Sequence, residues 1–508
     1  MLSRPAPDLR AILTFAGLVV AAVFMGLLTT LLAGAAGYFA VIYVIALLLL
    51  AAALYRLISA REPVQRVAGM VVLALPVMGY TLPPRRFGVS LLEVVMFTLM
   101  VLVIWAKLWR RRSGAMSARL QFFPTASLVW VQVLLLPSVL FSQYPAVSVA
   151  TLVANFVLYL VFIALVHACW LTPSNDDLLR RLMIATLILG AGVAVDRFAG
   201  LNLALENFNS NQLTLQGGEL ITRARGFFGD PQKAAQFMAC AGCFFTVLLI
   251  RGRFASQPRL RWLAVLTVLV SLAALMLTGS RASLVAAVLG LTVGFLLFNG
   301  WSGPVKLMSG LVLALVAAAA FQIPASTLGS VLPRSVLARF ETLDQSVQDR
   351  VKIWFDTWQM IAGHPAQGIG LGSFRPYMAD SSLVTRNFYG IGLGGGEIYI
   401  PDQPESGYFK ILYEGGILGS LASMLVLVAT VTRFARVLRS RTLSVDKQSE
   451  AIAAMISLAV FAITFVTLFT LSERRIVVLL AVMMALIWAP TLPQLAGVRP
   501  QQARQPAR

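Results

Sequence analysis

Ser346-Val347-Gln348-Asp349-Arg350 opens, and Glu414-Gly415-Gly416-Ile417-Leu418-Gly419 closes, the stretch that decides how this chain is read. Between them stand His364-Pro365, then Gly368-Ile369-Gly370-Leu371-Gly372-Ser373-Phe374, then Pro404-Glu405-Ser406-Gly407-Tyr408-Phe409. Polar and glycine-rich, the stretch interrupts a chain that is otherwise a succession of hydrophobic runs. Over 346–363 the spacing predicts a helix. Ser346 and Asp349 fit a capping box, Val347, Val351, Trp354, Phe355, Trp358 and Ile361 recur at helical period, and Asp349, Lys352 and Asp356 fall on the opposite face. Arg350 lies at the border of the apolar stripe, where it either snorkels or meets a ligand. Gly363 and Pro365 stop the helix. Gly368, Gly370 and Gly372 either let the backbone approach a ligand or a membrane helix closely, or make an ordinary tight turn.

Outward from this stretch the chain reads as a membrane protein. Of its 508 residues 58% are hydrophobic and 12% charged, and the mean hydropathy is +0.82. Crossing hydrocarbon takes roughly 20 apolar residues, and about fourteen runs qualify. They lie near 11–33, 36–55, 67–82, 91–109, 126–142, 147–171, 182–200, 234–250, 263–279, 282–299, 305–323, 408–432, 451–471 and 476–492. A chain in lipid satisfies its backbone internally, so these are helices. The first run follows only Arg4 and Arg10, has no clear cleavage site, and reads as a retained span. The expected fold is all-α and polytopic. Residues 1–323 carry spans 1 to 11, 324–407 form a helical periplasmic loop subdomain, 408–492 carry spans 12 to 14, and 493–508 are a cytoplasmic tail.

The net charge of +20 would suggest nucleic acid in a soluble chain. Here most of the cations, among them Arg110–Arg112, Arg251, Arg253, Arg259, Arg261, Arg433, Arg436, Arg439, Arg441 and Lys447, fall in loops on one side, as the positive-inside rule expects of cytoplasmic loops. That orientation makes 324–407 periplasmic. The cations left on the outer side include Arg86, Arg223, Arg225, Arg281 and Arg350. Arginine beside a span is costly unless paired or functional, and its planar fork suits phosphate oxygens, so these point to an anionic ligand. Three cysteines make no disulfide framework, and Cys240-x-x-Cys243 inside an apolar run reads as small-residue packing. Two histidines are too few for a histidine-based metal site, and Asp176-Asp177 read as solvated helix-start charges. No Walker motif occurs, and Gly368–Gly372 has no preceding strand or βαβ unit, which makes a Rossmann reading poor.

The order and spacing of these motifs resemble the O-antigen ligase and Wzy-type polysaccharide polymerase superfamily of bacterial inner membranes. The resemblance is strongest over 265–430: an arginine-bearing helix, then HPxxGxGxxxF, then a polar pair ahead of xYLxxxxExGxxG. Arg223-Ala-Arg225-Gly-Phe-Phe-Gly-Asp-Pro231 resembles the family's arginine segment before a span, and Thr278-Gly-Ser-Arg281-Ala-Ser283 its S-R-(G/A) hairpin. The resemblance implies glycosyl transfer from an undecaprenyl-pyrophosphate-linked oligosaccharide to an acceptor glycan at the periplasmic face of a multi-pass inner-membrane protein. It implies no metal or other cofactor and no nucleic acid, and makes chain-length regulators and export proteins candidate partners. It implies that Arg281 and Arg350 are catalytic and that Arg223, Arg225, Arg86, His364, Gly368, Gly370, Gly372, Ser406, Tyr408 and Glu414 line the substrate. Where ligases carry His followed by Asn, Ser or Gln, this chain has Glu405-Ser406. A carboxylate serves as general base toward a sugar hydroxyl if its pKa suits, and an acid followed by Ser resembles the exopolysaccharide polymerases. Polymerase is therefore expected ahead of ligase, with Glu405 as base; the other reading of Glu405 is a helix cap. A multispan lipid or glycan transporter is the alternative of another class, but no internal repeat supports it.

Overall fold

The computed structural model describes residues 63–78, 126–203 apart from Pro173 and Asn202, 212–214, 220–298, 343–380, 404 and 406–492. The chain divides into units 1–67 and 68–508, and the elements below belong to the second save for the first turn of α1. The helices are α1 (Pro63–Leu73), α2 (Ala126–Leu140), α3 (Pro145–Leu171), α4 (Asp176–Ala199), α5 (Pro231–Ile250), α6 (Pro258–Thr278), α7 (Arg281–Phe298), α8 (Leu343–Gly363), α9 (Phe374–Asp380), α10 (Gly407–Arg439), α11 (Val445–Thr464) and α12 (Arg474–Trp488). The fold is all-α apart from one short antiparallel hairpin, β1 (Gln212–Thr214) with β2 (Leu220–Thr222), in which Leu213 faces Ile221.

Seven helices among the described residues are long and apolar enough to cross a membrane: Pro145–Trp170, Asp176–Ala199, Pro231–Ile250, Pro258–Thr278, Gly407–Arg439, Val445–Thr464 and Arg474–Thr491. The described residues therefore form a multi-pass membrane protein, with α2 and α7 as shorter apolar helices beside these spans. The expected spans at 11–33, 36–55, 91–109 and 305–323 lie outside the described residues. Two expected boundaries are corrected. The run at 67–82 does not continue as one helix: α1 ends at Leu73 and a 3-10 turn follows at Leu75–Val77, with Pro76 in it. The run at 451–471 ends as helix at Thr464, where Phe465 begins a turn.

Helix starts follow capping chemistry. Asp230 caps α5 by accepting from the Gln232 N–H at 2.6 Å, with Pro231 at the first position. Ser444 caps α11 and Glu473 caps α12. The centre of the bundle is α5, which is buried along most of its length and packs against α6, α7 and α11. Spans in lipid associate by close packing of small residues. Gly290 and Gly294 of α7 accordingly take Val460 and Ile456 of α11 into the space a side chain would fill. Cys240 and Cys243 do the same as packing residues: both are buried, the Cys240 carbonyl accepts from Ser457 Oγ at 3.0 Å, and Cys243 Sγ lies 3.6 Å from the Ala287 carbonyl.

At one end of the bundle a buried ionic cluster joins α4, the α5–α6 turn and α11. Arg253 donates to Glu450 at 2.9 Å and to Asp176 at 2.6 Å, Asn175 donates to Glu450 at 2.6 Å, and Gln257 donates to Asp176 at 2.8 Å. Burial works against the Arg253 charge, but Glu450 first and then Asp176 and Asp446 outweigh it, so its pKa is raised. Asp176 is thus a partner in a network rather than the solvated charge expected. Asp177 keeps the surface role, paired with Arg181 one turn on.

Candidate functional site

At the opposite end of the bundle, α10 is broken where Glu414-Gly415-Gly416 stand, and Gly416 takes φ 61° and ψ −160°. A broken helix inside a membrane leaves backbone groups without partners, and each must be satisfied by protein. The glycine loop between α8 and α9 does this. The Ile417 and Leu418 N–H groups donate to the Pro365 and Ala366 carbonyls at 2.9 and 3.2 Å, and the Tyr413 and Glu414 carbonyls accept from Ile369 and Gly370 at 3.1 Å each. Ser138 Oγ of α2 adds a second donor to the Glu414 carbonyl at 2.6 Å. This contact is so close that a Cβ on Gly368 would stand 2.5 Å from the Glu414 oxygen and 2.6 Å from the Gly416 nitrogen. Of the readings open for Gly368, Gly370 and Gly372, close approach to a membrane helix is the one observed. All three have positive φ, at 70°, 118° and 70°.

The far side of the loop rests on the α2–α3 turn. Ser142 and Ser148 donate to the Ile369 and Leu371 carbonyls at 3.4 and 3.0 Å, and the two hydroxyls are 2.7 Å apart. Tyr144 Oη donates to the Pro376 carbonyl at 3.3 Å. Beneath lies an apolar cluster of Met360, Ile361, Ile369, Phe374, Met378 and Tyr413. Sequence reading missed this cradle, since Ser142 and Ser148 lie more than 200 residues from the glycines they hold. The only signal was two serines beside a span end.

Helix α8 begins at Leu343, three residues before the capping box expected at Ser346, and ends at Gly363 as expected. Its stripe is split. Ile361 and Met360 pack into the cluster and Trp354 stacks on Phe409 of α10 at 5.7 Å, while Val351, Phe355 and Trp358 are exposed. Arg350 lies in α8; its side chain, like Glu405 and Arg86, falls outside the described residues. The His364 carbonyl accepts from Gly368 N–H at 3.0 Å and closes the turn out of α8. Ser406 caps α10, accepting from Phe409 N–H at 3.5 Å. Tyr408 is half-exposed, stacks edge-on against Phe465 and donates to the Ala462 carbonyl at 2.9 Å. The Glu414 carboxylate is buried, accepts from Phe374 N–H at 3.4 Å and pairs with Lys410 at 3.6 Å.

The two other arginine motifs meet on neighbouring elements. Arg223 is 3% exposed and donates from Nε to the Thr278 carbonyl at 3.0 Å, at the end of α6. Gly279, with φ 65°, turns the chain there, so that Arg281 becomes the first residue of α7. Arg225 is equally buried, and Asp196 of α4 accepts from the Arg225 and Gly226 backbone N–H groups at 2.6 and 2.9 Å. Phe228 of the same loop lies under Arg475, at 5.1 Å, and Arg475 in turn donates to Glu473 and to the Leu75 carbonyl. Asp196 and Arg475 were not singled out in the sequence; a charged residue near the end of an apolar helix was the available signal.

Between α3 and α10 a cavity of about 640 Å³ opens beside this assembly. Its mouth carries Lys410, Glu414, Ser472 and Arg474, and its length is lined by small and apolar side chains of both helices. Among the described residues no three His, Cys, Asp or Glu side chains gather as a metal site.

The class defined so far is a multi-pass membrane protein with a broken span, plugged by a glycine loop, and a set of buried arginines at the same end. Residues 266–424 match the family model Wzy_C, described as O-antigen ligase, close to the 265–430 read from the motifs. Over that stretch the chain is similar to the O-antigen ligase family. No curated protein matches the chain closely.

Proposed function

We propose that this protein elongates a polysaccharide by transferring a glycan, en bloc, from an undecaprenyl-pyrophosphate carrier to the non-reducing end of a second lipid-linked unit at the periplasmic face. The observation that carries this reading is the docking of Arg223 on the Thr278 carbonyl. It joins the Arg223–Arg225 loop, which precedes the family-matched residues, to the turn that starts α7 with Arg281, which lies among them. Guanidinium groups at a membrane edge stabilise the charge that develops on a departing pyrophosphate without proton bookkeeping. Glu405, one residue before the cap of α10, is the proposed base toward the acceptor hydroxyl, and Arg350 on α8 a second contact to the donor. The break in α10, held by the glycine loop, supports this reading by fixing the start of the span that follows Glu405 in the sequence.

Purified protein with a defined lipid-linked substrate tests each role. Glu405→Gln keeps shape but loses basicity, and turnover should fall about 10²–10⁴-fold with donor affinity unchanged. Arg281→Lys and Arg350→Lys should lose most activity, because lysine cannot supply a bidentate fork. Arg436→Lys, exposed in the last turn of α10, should be silent. Near-normal turnover in Glu405→Gln would remove the base role and leave Glu405 as a charge beside the Ser406 cap. Glycan transferred only to lipid A-core, with no chain growth, would establish ligase in place of polymerase.

A further inference from the structure

We propose that α8 is an interfacial helix, whose stripe of Val351, Phe355, Trp358 and Ala362 lies in the lipid–water boundary at the end of the bundle that carries the glycine loop. Successive residues of a helix turn by about 100°, and this divides the surface of α8 into three faces. Trp354, Thr357, Met360 and Ile361 share an arc of about 120°, and this is the side that protein covers. Met360 and Ile361 pack into the cluster around Tyr413, Thr357 is buried, and Trp354 stacks on Phe409. Val351, Phe355, Trp358 and Ala362 fall within about 60° of one another on the adjoining side, and all four are exposed. Helical period puts Lys352, Asp356 and Gln359 on the third side, where Gln359 is exposed. Protein, bare apolar stripe and polar positions thus follow one another around the helix. That is the order of surroundings met by a helix lying against a span at the bilayer surface.

Where α8 touches the bundle fixes its depth. Its partners Phe409 and Tyr413 lie in the first two turns of α10, a helix long and apolar enough to cross the membrane. The contact therefore sits at the edge of a span. Other exposed rings mark the same level: Tyr408 is the second residue of α10, and Phe141 precedes Ser142, which holds the glycine loop. Amphipathic rings gather at the headgroup level of membrane proteins, and Phe355 and Trp358 extend that belt. The stripe is continuous with surfaces that lipid already covers, which makes the bilayer its occupant. A helix with an apolar face so placed sinks it about 5–10 Å into the boundary between headgroups and acyl chains.

The same helix carries Arg350. Its depth in the boundary sets the height at which that residue meets a lipid-linked donor. This consequence rests on the donor contact proposed for Arg350; the anchoring of α8 does not.

Full-length protein carrying bimane on a single introduced cysteine would be placed in nanodiscs of phosphatidylethanolamine and phosphatidylglycerol; the native Cys169, Cys240 and Cys243 are buried. Two quenchers would be compared, a lipid with a nitroxide near its headgroup and aqueous iodide. At Phe355→Cys and Trp358→Cys the lipid quencher should act about threefold more strongly than iodide, and at Gln359→Cys the order should reverse. Leu421→Cys, exposed within α10, calibrates the hydrocarbon, and Ser444→Cys the water. Iodide reaching position 358 as readily as 359 would overturn the proposal in favour of a face open to a soluble partner. Shielding of 358 from both quenchers would overturn it in favour of a contact with a second copy of the chain. Phe355→Asp with Trp358→Asp should open Val351→Cys to iodide without changing the melting temperature, and should lower turnover about tenfold or more through misplacement of α8. Iodide access gained with turnover intact would refute the donor contact of Arg350 and leave the anchoring standing.

Discussion

At the scale of single residues, glycine here is a positional requirement rather than a source of flexibility. Gly368 and Gly370 combine positive φ with contacts that a Cβ would violate: Gly368 against the Glu414 carbonyl, Gly370 against the hydroxyls of Ser142 and Ser148. Gly363, at the end of α8, meets nothing within 4 Å and has ordinary φ. Gly368→Ala and Gly370→Ala should therefore each destabilise the fold by about 1–3 kcal/mol for the backbone alone, and by more where the α10 break loses its partners. Gly363→Ala should leave the melting temperature of the purified protein unchanged or slightly raised. Equal melting of all three variants would mean that the loop does not hold α10.

At the scale of elements, two devices tie sequence-distant helices together. One is the plugged break in α10. The other is the cluster of Arg253, Glu450, Asp176 and Asn175 at the opposite end. Removing one partner of a buried ion pair leaves the other charge uncompensated, at a cost of roughly 3–5 kcal/mol, whereas replacing both by apolar groups is often nearly neutral. Arg253→Met alone should lower the melting temperature markedly, and Arg253→Met with Glu450→Met should recover most of the loss. A double variant no better than the single one would show that Asp176 and Gln257, not Glu450, carry the tie. Since this end lies across the bundle from the arginine loop, the double variant should retain turnover wherever it retains folding.

At the scale of the whole molecule, orientation is the quantity to test. Gln143 is exposed in the α2–α3 turn beside the glycine loop, and Ser444 is exposed ahead of α11 at the other end. The native cysteines Cys169, Cys240 and Cys243 are all buried, so the background of thiol labelling is low. With the arginine loop on the periplasmic side, Gln143→Cys should react with an impermeant maleimide in intact cells and Ser444→Cys only after lysis. The reverse pattern would invert the topology and with it the proposed face of reaction.

Hydrophobic runs and their spacing were enough to place nine of the helices, from α2 to α12 apart from α8 and α9, because a span in lipid is a local property of some 20 consecutive residues. The same holds for the order of the family motifs and for the end of α8 at Gly363-His364-Pro365. What the sequence could not contain is the pairing between distant segments. Ser138, Ser142 and Ser148 are ordinary span-end serines until the fold brings Glu414 of α10 against the first and the glycine loop against the other two. A charge near a helix end is all that marks Asp196, Glu450 and Arg475 locally; which partners they meet is set by which helices pack together. The split stripe of α8 has the same origin: helical period defines an apolar face, but only the approach of α10 decides which part of it is covered. Sequence by itself determined a helical membrane protein with a glycine-rich motif region and arginines near its span ends; the tertiary structure alone decided that the glycines close a broken span and that Arg223 meets the turn before Arg281, because hydrogen bonds across more than 40 residues depend on packing and not on neighbours in the chain.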